Sequence, residues 1–235
     1  MKKAILIGIM SLLSFVNAFA VDSGGNSVYI DQTTADNSNV SITQTGSGNQ
    51  VGDRTNLITP AFVIDGNAMN LTIVQTGMNN SIVGNFIGGD STANITQEGS
   101  GNSFALTQGN FGTSSGLLNI TKTGDNNTVA LNMGITSNAG NYNYSLTISG
   151  NTNNITSTIN SKYTQNTMTI TGSTNTVTTT QVGFNGNQST PGHNVALSII
   201  GNSNSVAILQ NGTTFANAIT LNISGSNTTT AITQH

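Results

Sequence analysis

Apolar and polar residues alternate in short segments that recur along the chain at intervals of 22 to 31 residues. Each segment surrounds a glycine, numbered zero here, and selected residues lie at −6, −4 and −2 before it and at +3, +5, +7 and +9 after it. A period of two predicts a strand on each side of the glycine, so each unit is predicted to be strand–turn–strand. The glycines are Gly46, Gly77, Gly99, Gly124, Gly150, Gly172, Gly201 and Gly225.

Equivalent positions carry similar residues, which indicates that the units stack on one another. Position −4 is apolar in every unit, and position +5 is apolar in seven. Position +3 is asparagine in seven units: Asn49, Asn80, Asn102, Asn127, Asn153, Asn175 and Asn204. Glutamine recurs at −2, as Gln44, Gln75 and Gln97, and at +9, as Gln108, Gln181, Gln210 and Gln234.

One such unit, called a rung below, cannot bury its inner face alone, whereas stacked rungs pair equivalent strands about 4.8 Å apart. Aliphatic columns then fill the interior, and stacked Asn and Gln side chains bond their amides along the stack, as in cross-β assemblies. The glycine is expected to supply a positive φ, and the asparagine to tolerate a left-handed conformation or to bond its own backbone. The predicted fold class is all-β, an amyloid-like β-solenoid of stacked strand–turn–strand arcs with about eight and a half rungs.

The half rung is residues 23–32, where Asn26, Val28, Ile30 and Gln32 match positions +3 to +9. Residues 21–235 are predicted to form a single repeat domain. Two long insertions are expected at 52–70 and 183–194, because they contain the only prolines, Pro60 and Pro191, and proline cannot donate to a strand ladder.

Residues 1–20 resemble a secretory signal peptide, with Lys2 and Lys3 before a short apolar stretch. Ala18-Phe19-Ala20 predicts cleavage after Ala20, and hence a secreted, extracellular or cell-surface protein. The alternative is a short membrane anchor, but the apolar stretch is shorter than the ~20 residues of a span, so the chain is expected not to span a membrane.

Without residues 1–20 the chain has three basic and eight acidic residues, a formal net charge of −5, and no cysteine. The absence of a basic patch argues against nucleic-acid binding through phosphate contacts. Regularly spaced Ile and Val argue against the alternative of a disordered chain. We therefore expect an ordered protein that is held together without disulfides.

Candidate chemistry is sparse in this sequence. His193 lies in a Pro-Gly segment and is predicted to be a solvated loop histidine, and His235 is the last residue. Lys122 occupies a glutamine position at −2 and is predicted to be a solvated strand end, or a gatekeeper charge that slows strand stacking. The acids are scattered, so the sequence predicts no catalytic, cofactor-binding or metal-binding residues and no enzyme.

The pattern Q-x-G-x-x-N with a downstream Gln resembles the repeat of curlins, the subunits of bacterial curli amyloid fibres. The curlin unit is S-x5-Q-x-G-x-x-N-x-A-x3-Q, and the unit around Gly99 matches it at Ser91, Gln97, Gly99, Asn102 and Gln108, with Phe104 at the alanine position. The resemblance implies a secreted structural subunit that polymerises end to end for surface adhesion and biofilm matrix. It also implies a nucleator subunit and an outer-membrane secretion pore as partners. Four units have Ile instead of Gln at −2, so both a major and a nucleating role stay open.

Two alternatives belong to other functional classes. The first is a monomeric or phage-borne solenoid adhesin that does not polymerise and whose loops bind a surface ligand. The second is an ice-binding solenoid, because the outward positions −3 and −1 are both Thr in three units. That Thr array is interrupted by Val74, Glu98, Ile200 and Asn222.

Overall fold

A computed structural model describes residues 16–21, 24–32, 39–53, 62–65, 68, 70–84, 86–87, 91–107, 116–132, 142–187 and 189–235. Gln108, Pro60 and residues 1–15 lie outside the described residues. Within those ranges no helix is long and apolar enough to cross a membrane.

Strands occur along the whole described part of the chain, and many of these strands follow the strand–turn–strand pattern of the sequence. In chain order they are β1 (Val16–Val21), β2 (Ser27–Gln32), β3 (Asn39–Ser47), β4 (Gln50–Val51), β5 (Phe62–Asp65), β6 (Asn70–Met78), β7 (Ser81–Ile82), β8 (Phe86–Ile87), β9 (Ser91–Ala93), β10 (Thr96–Glu98), β11 (Ser103–Thr107), β12 (Gly116–Leu118), β13 (Thr121–Thr123), β14 (Thr128–Asn132), β15 (Tyr142–Ser149), β16 (Asn154–Asn160), β17 (Gln165–Thr171), β18 (Thr176–Val182), β19 (Asn194–Ile200), β20 (Ser205–Gln210), β21 (Ala218–Ser224) and β22 (Thr229–Gln234).

The strands form two sheets that face each other across a narrow interior. Strands that follow the turn glycine pair in the order β22-β20-β18-β16-β14-β11-β7-β4-β2, and β5 and β8 extend β4 and β7. Strands that precede the glycine make the second sheet, in which β15, β17, β19 and β21 are consecutive neighbours. These pairs are parallel and in register, as in Leu146↔Met168 and Val177↔Val206. The predicted class, an all-β solenoid, is confirmed.

The core consists of aliphatic columns that run along the solenoid. Ile155, Val177 and Val206 form part of one column and Leu146, Met168 and Leu197 part of the opposite one, and all six side chains are buried. In β17 the residues alternate strictly between buried and exposed, and in β18 buried residues alternate with exposed or partly buried ones. The period-two pattern of the sequence therefore separates core from surface in these strands.

The N-terminal half of the solenoid is less regular than the C-terminal half. The strands before Gly99 and Gly124 are each split, and the split leaves Ile95 and Ile120 with φ of 31° and 27°. The rung count accordingly differs slightly from the eight and a half expected, because insertions interrupt strands that a uniform repeat would keep whole.

The segment 52–70, expected to be a loop, contains a core strand. β5 pairs with β2 through Ile30↔Phe62, so it resumes the strand that β4 begins. Phe62 is fully buried. The prediction of one continuous insertion is therefore wrong for residues 62–65, where the chain returns to the column that Ile30, Leu131 and Ile208 occupy in other rungs.

Replacing Phe62 with Ala should lower the free energy of unfolding by about 3–5 kcal/mol, because the change leaves a cavity in the column. Phe215 is 76 % exposed and provides a control of the same residue type. Urea denaturation of the Phe62→Ala and Phe215→Ala variants measures both effects. Equal small losses would mean that residues 62–65 are a dispensable loop.

Candidate functional site

The asparagines at +3 form a continuous buried column, and each joins neighbouring rungs. The Oδ1 atom of each asparagine accepts from the main-chain N–H of the next one, as in Asn175 N to Asn153 Oδ1 at 3.0 Å. The Nδ2 group donates to the carbonyl of the turn glycine one rung further on, as in Asn153 to Gly172 O at 2.8 Å. The structure places these residues in the column: Asn26, Asn49, Asn80, Asn102, Asn127, Asn153, Asn175 and Asn204.

The glycine column is equally constrained, because the turns of successive rungs touch. At Gly172 the backbone has a φ of 128°, which side chains rarely adopt. A Cβ atom built there would lie 2.0 Å from the carbonyl oxygen of Gly201. The same carbonyl accepts the Asn175 amide, so close packing of the turns and the asparagine bond require each other.

The asparagine at +3 is not the left-handed residue of the turn, so the expectation that it would adopt a left-handed conformation is wrong. Besides the glycine, the left-handed residue is the one at +2, with φ between 55° and 62° at Asn79, Asn126, Thr152, Thr174, Ser203 and Asn227. Such a conformation is unfavourable for a β-branched residue such as Thr152. The role that the +3 asparagine repeats from rung to rung is thus hydrogen bonding between rungs.

A second ladder of side chains runs along the outside of the turns at +1, and the repeat analysis missed it. Asn151 Oδ1 accepts from the N–H of Asp125 at 2.8 Å, and Ser173 Oγ from Asn151 N at 3.0 Å. The acceptor belongs to the later rung, which is the reverse of the N–H to Oδ1 bonds of the asparagine column. The +1 residues after Gly99 are all Ser, Asp or Asn, and this restricted composition is the signal that could have revealed the ladder.

The glutamines form two shorter ladders inside the solenoid. At −2, Gln44 Nε2 donates to Gln75 Oε1 at 2.8 Å, and Gln97 continues that column. At +9, Gln181 Nε2 donates to Gln210 Oε1 at 2.9 Å, and Gln210 donates to Gln234 at 3.2 Å. Glutamine amides of successive rungs therefore bond each other at these positions, whereas Gln75 Nε2 donates to main-chain carbonyls and Gln181 Oε1 has no partner.

Lys122 is fully buried, so the prediction of a solvated strand end is wrong. Its Nζ atom lies 2.8 Å from Gln97 Oε1, also contacts the carbonyl of Ser103, and sits 5.8 Å from the centre of the Phe104 ring. Burial lowers the pKa of this amine to about 7. The lysine extends the glutamine ladder as a donor, but its charged form is disfavoured there.

His193 is also buried, and the prediction of a solvated loop histidine is wrong. Its Nδ1 atom accepts from the N–H of Asn217 at 3.1 Å, so its proton lies on Nε2, which donates to the carbonyl of Val182 at 3.1 Å. Burial lowers the pKa of the imidazole below its usual value. His193 thus joins the end of β18 to the residue before β21 as a structural residue.

The two ends of the solenoid differ from its middle, because the columns stop there. The apolar residues that are only partly buried against the core are Val40 and Ile42 in β3 and Leu221 and Ile232 in β21 and β22. At the C-terminal end Thr228 takes the asparagine position and donates its N–H to Asn204 Oδ1 at 2.9 Å. These end strands are the part of the described chain best suited to binding an extended partner.

A search against family models, curated proteins and solved structures finds no match for this chain. Among the described residues no cluster of three or more His, Cys, Asp or Glu could hold a metal ion.

Replacing Asn102 with Ala should lower the free energy of unfolding by about 1–3 kcal/mol, because it leaves buried groups of the following rung without partners. The lost bonds include Asn102 Nδ2 to Gly124 O at 2.8 Å and Asn127 N to Asn102 Oδ1 at 3.0 Å. Asn154→Ala is the matched control, since Asn154 is exposed on β16. Chemical denaturation should separate the two variants, and equal losses would contradict the bridging role.

Stability should rise with pH above neutrality because of Lys122. The unfolded chain has the ordinary lysine pKa of 10.5 and the folded protein about 7, so the unfolded chain binds more protons between these values. The free energy of unfolding should therefore increase from pH 7 to 9.5, with a contribution of up to about 1.4 kcal/mol per pH unit. Lys122→Gln should remove that contribution and be more stable than the parent at pH 6. An unchanged pH dependence in the Gln variant would disprove this origin.

Proposed function

We propose that this chain is a structural subunit that assembles end to end into an extracellular fibre. The observation that carries the proposal is the repetition of matching ladders along the solenoid, with open strand edges at β3, β21 and β22. A long parallel edge with a matching apolar column is a template for another chain. The resemblance to the curlin repeat supports the same conclusion and adds surface adhesion and biofilm matrix as its purpose.

The last strand of one copy fits the first strand of another in sequence. Stacking β22 on β2 of a second copy places Thr228, Thr230, Ile232 and Gln234 over Asn26, Val28, Ile30 and Gln32. Apolar residues then meet along part of the core column. Thr228 has a hydroxyl oxygen that can accept from the incoming Asn26, as Oδ1 does within the solenoid.

The partners that follow from the proposal are further copies of the chain, a nucleator subunit and an outer-membrane secretion pore. Export through a signal peptide cleaved after Ala20 belongs to the same proposal. The function is structural, without catalysis, and the buried Asn and Gln columns serve the stack itself.

A non-polymerising solenoid adhesin is the second candidate function. The exposed ring of Phe215, in the loop before β21, favours it, since exposed aromatic side chains are typical of binding surfaces. An adhesin would stay monomeric at concentrations at which a fibre subunit assembles, so the assembly experiment decides between the two.

Proline substitution in β22 tests end-to-end stacking. Main-chain hydrogen bonds and the parallel register show which groups of β22 face β20. Ser205 N donates to Thr228 O, and Asn211 N donates to Gln234 O. Main-chain groups alternate along a strand, so the amide of Ala231 faces the open edge and that of Ile232 faces β20. Ala231→Pro should leave the monomer folded and abolish fibre growth, whereas Ile232→Pro should destabilise the monomer.

Fibre growth is followed by thioflavin fluorescence and electron microscopy of residues 21–235, and folding by circular dichroism. The proposal expects fibres with a meridional reflection near ~4.7 Å from the parent. A parent that stays monomeric and folded at high concentration would overturn the proposal and favour the adhesin. Normal growth of a folded Ala231→Pro variant would exclude β22 as the docking edge.

A further inference from the structure

The N-terminal end of the solenoid is closed on one sheet and open on the other. β1 pairs with β2 in an antiparallel register from Val16↔Gln32 to Val21↔Ser27, whereas the other described strand pairs are parallel. β2 is the first strand of its sheet, and its opposite edge pairs with β4 and β5. β1 therefore covers the edge of β2 that faces away from the solenoid.

The main-chain groups that β1 engages can be assigned. Ser27 donates its N–H to Asn49 O at 2.8 Å, so the main chain of Ser27 faces the solenoid. Since these groups alternate, the main-chain groups of Val28 and Ile30 face β1, where they lie opposite Ala20 and Ala18. In end-to-end stacking, the same groups of Val28 and Ile30 would bond Thr229, Ala231 and Thr233 of an incoming copy.

Burial differs in the same sense between the first strands of the two sheets. Val28 and Ile30 are 8 % and 5 % exposed although they belong to the first strand of their sheet. Val40 and Ile42 hold the corresponding place in the other sheet and are only partly buried. The edge of β2 is thus covered at the point where the edge of β3 is not.

We propose that residues 16–21 and the C-terminal strand of a second copy compete for the same edge of β2. This inference rests on the proposed function. The partner that fits the edge is a parallel strand with apolar residues at alternate positions, as in β22. A bound β1 runs in the opposite direction, so it cannot continue the in-register columns, and the N-terminal end of the uncleaved chain is blocked. Cleavage after Ala20 would remove five of the six residues of β1 and open the edge.

Two proline variants of the full chain separate this competition from other effects of the N-terminus. The main chain of Ala18 faces β2, so Ala18→Pro removes a donor that holds β1 in place. The main chain of Phe19 faces away from β2, so Phe19→Pro keeps the pairing and is the matched control. Residues 21–235 serve as the open chain, and fragments of their fibres serve as seeds for all four proteins.

Two measurements are made on each protein: the rate of seeded fibre growth, and hydrogen exchange of the Val28 and Ile30 amides in the monomer. Ala18→Pro and residues 21–235 should grow at least about tenfold faster than the full chain and Phe19→Pro. This factor corresponds to a β1 strand that covers the edge of β2 in more than about nine molecules in ten. The two amides should exchange slowly in the full chain and Phe19→Pro, and faster in the other two proteins.

The outcomes distinguish this inference from the proposed function. If residues 21–235 do not assemble at all, the proposed function fails, and the competition fails with it. If they assemble and the full chain grows equally fast, or if the Val28 and Ile30 amides exchange alike in all four proteins, the competition is overturned while the fibre proposal stands.

Discussion

The structure depends on the hydrogen bonds of one side chain, the buried asparagine three residues after each turn glycine. Its side-chain amide bonds the following rung through a main-chain N–H and a glycine carbonyl, and the preceding rung through the Oδ1 atom of the asparagine there. An unbonded amide in this position would be costly, because it lies away from water. The column is satisfied only when the rungs stack at one spacing and in one register, and so it fixes the geometry of both sheets.

The other features of the turn follow from this register. Successive glycine turns must approach so closely that a Cβ atom at Gly150 would lie 2.1 Å from the carbonyl of Gly172. The left-handed residue at +2 then places the asparagine inward, at the start of the next strand. A one-residue shift would exchange core and surface in every strand, so the aliphatic columns and the amide column select the same register.

Nothing within a repeat of this kind ends the stack, because each rung presents to the next rung the same surface that the previous rung presents to it. The ends must therefore be open, as at β21 and β22, or covered by a strand outside the pattern, as β1 covers β2. Residues inside the stack that depart from the repeat lower the stability locally. Burial at a glutamine position disfavours the charged form of Lys122, and Asn166 is buried in an otherwise mostly apolar column with both amide atoms unbonded.

The sequence by itself determined the fold class, the strand periodicity and the residues of the asparagine, glycine and aliphatic columns, because identical neighbours make each local pattern repeat in space. Only the tertiary structure decided which residues depart from the repeat pattern. Phe62 returns to the core after an insertion of irregular length, and no local signal distinguishes it from a loop residue. Lys122 and His193 are polar, so sequence suggested solvent, whereas their neighbours along the solenoid bury them. The antiparallel pairing of β1 with β2 likewise depends on an edge that exists only once the rungs have stacked.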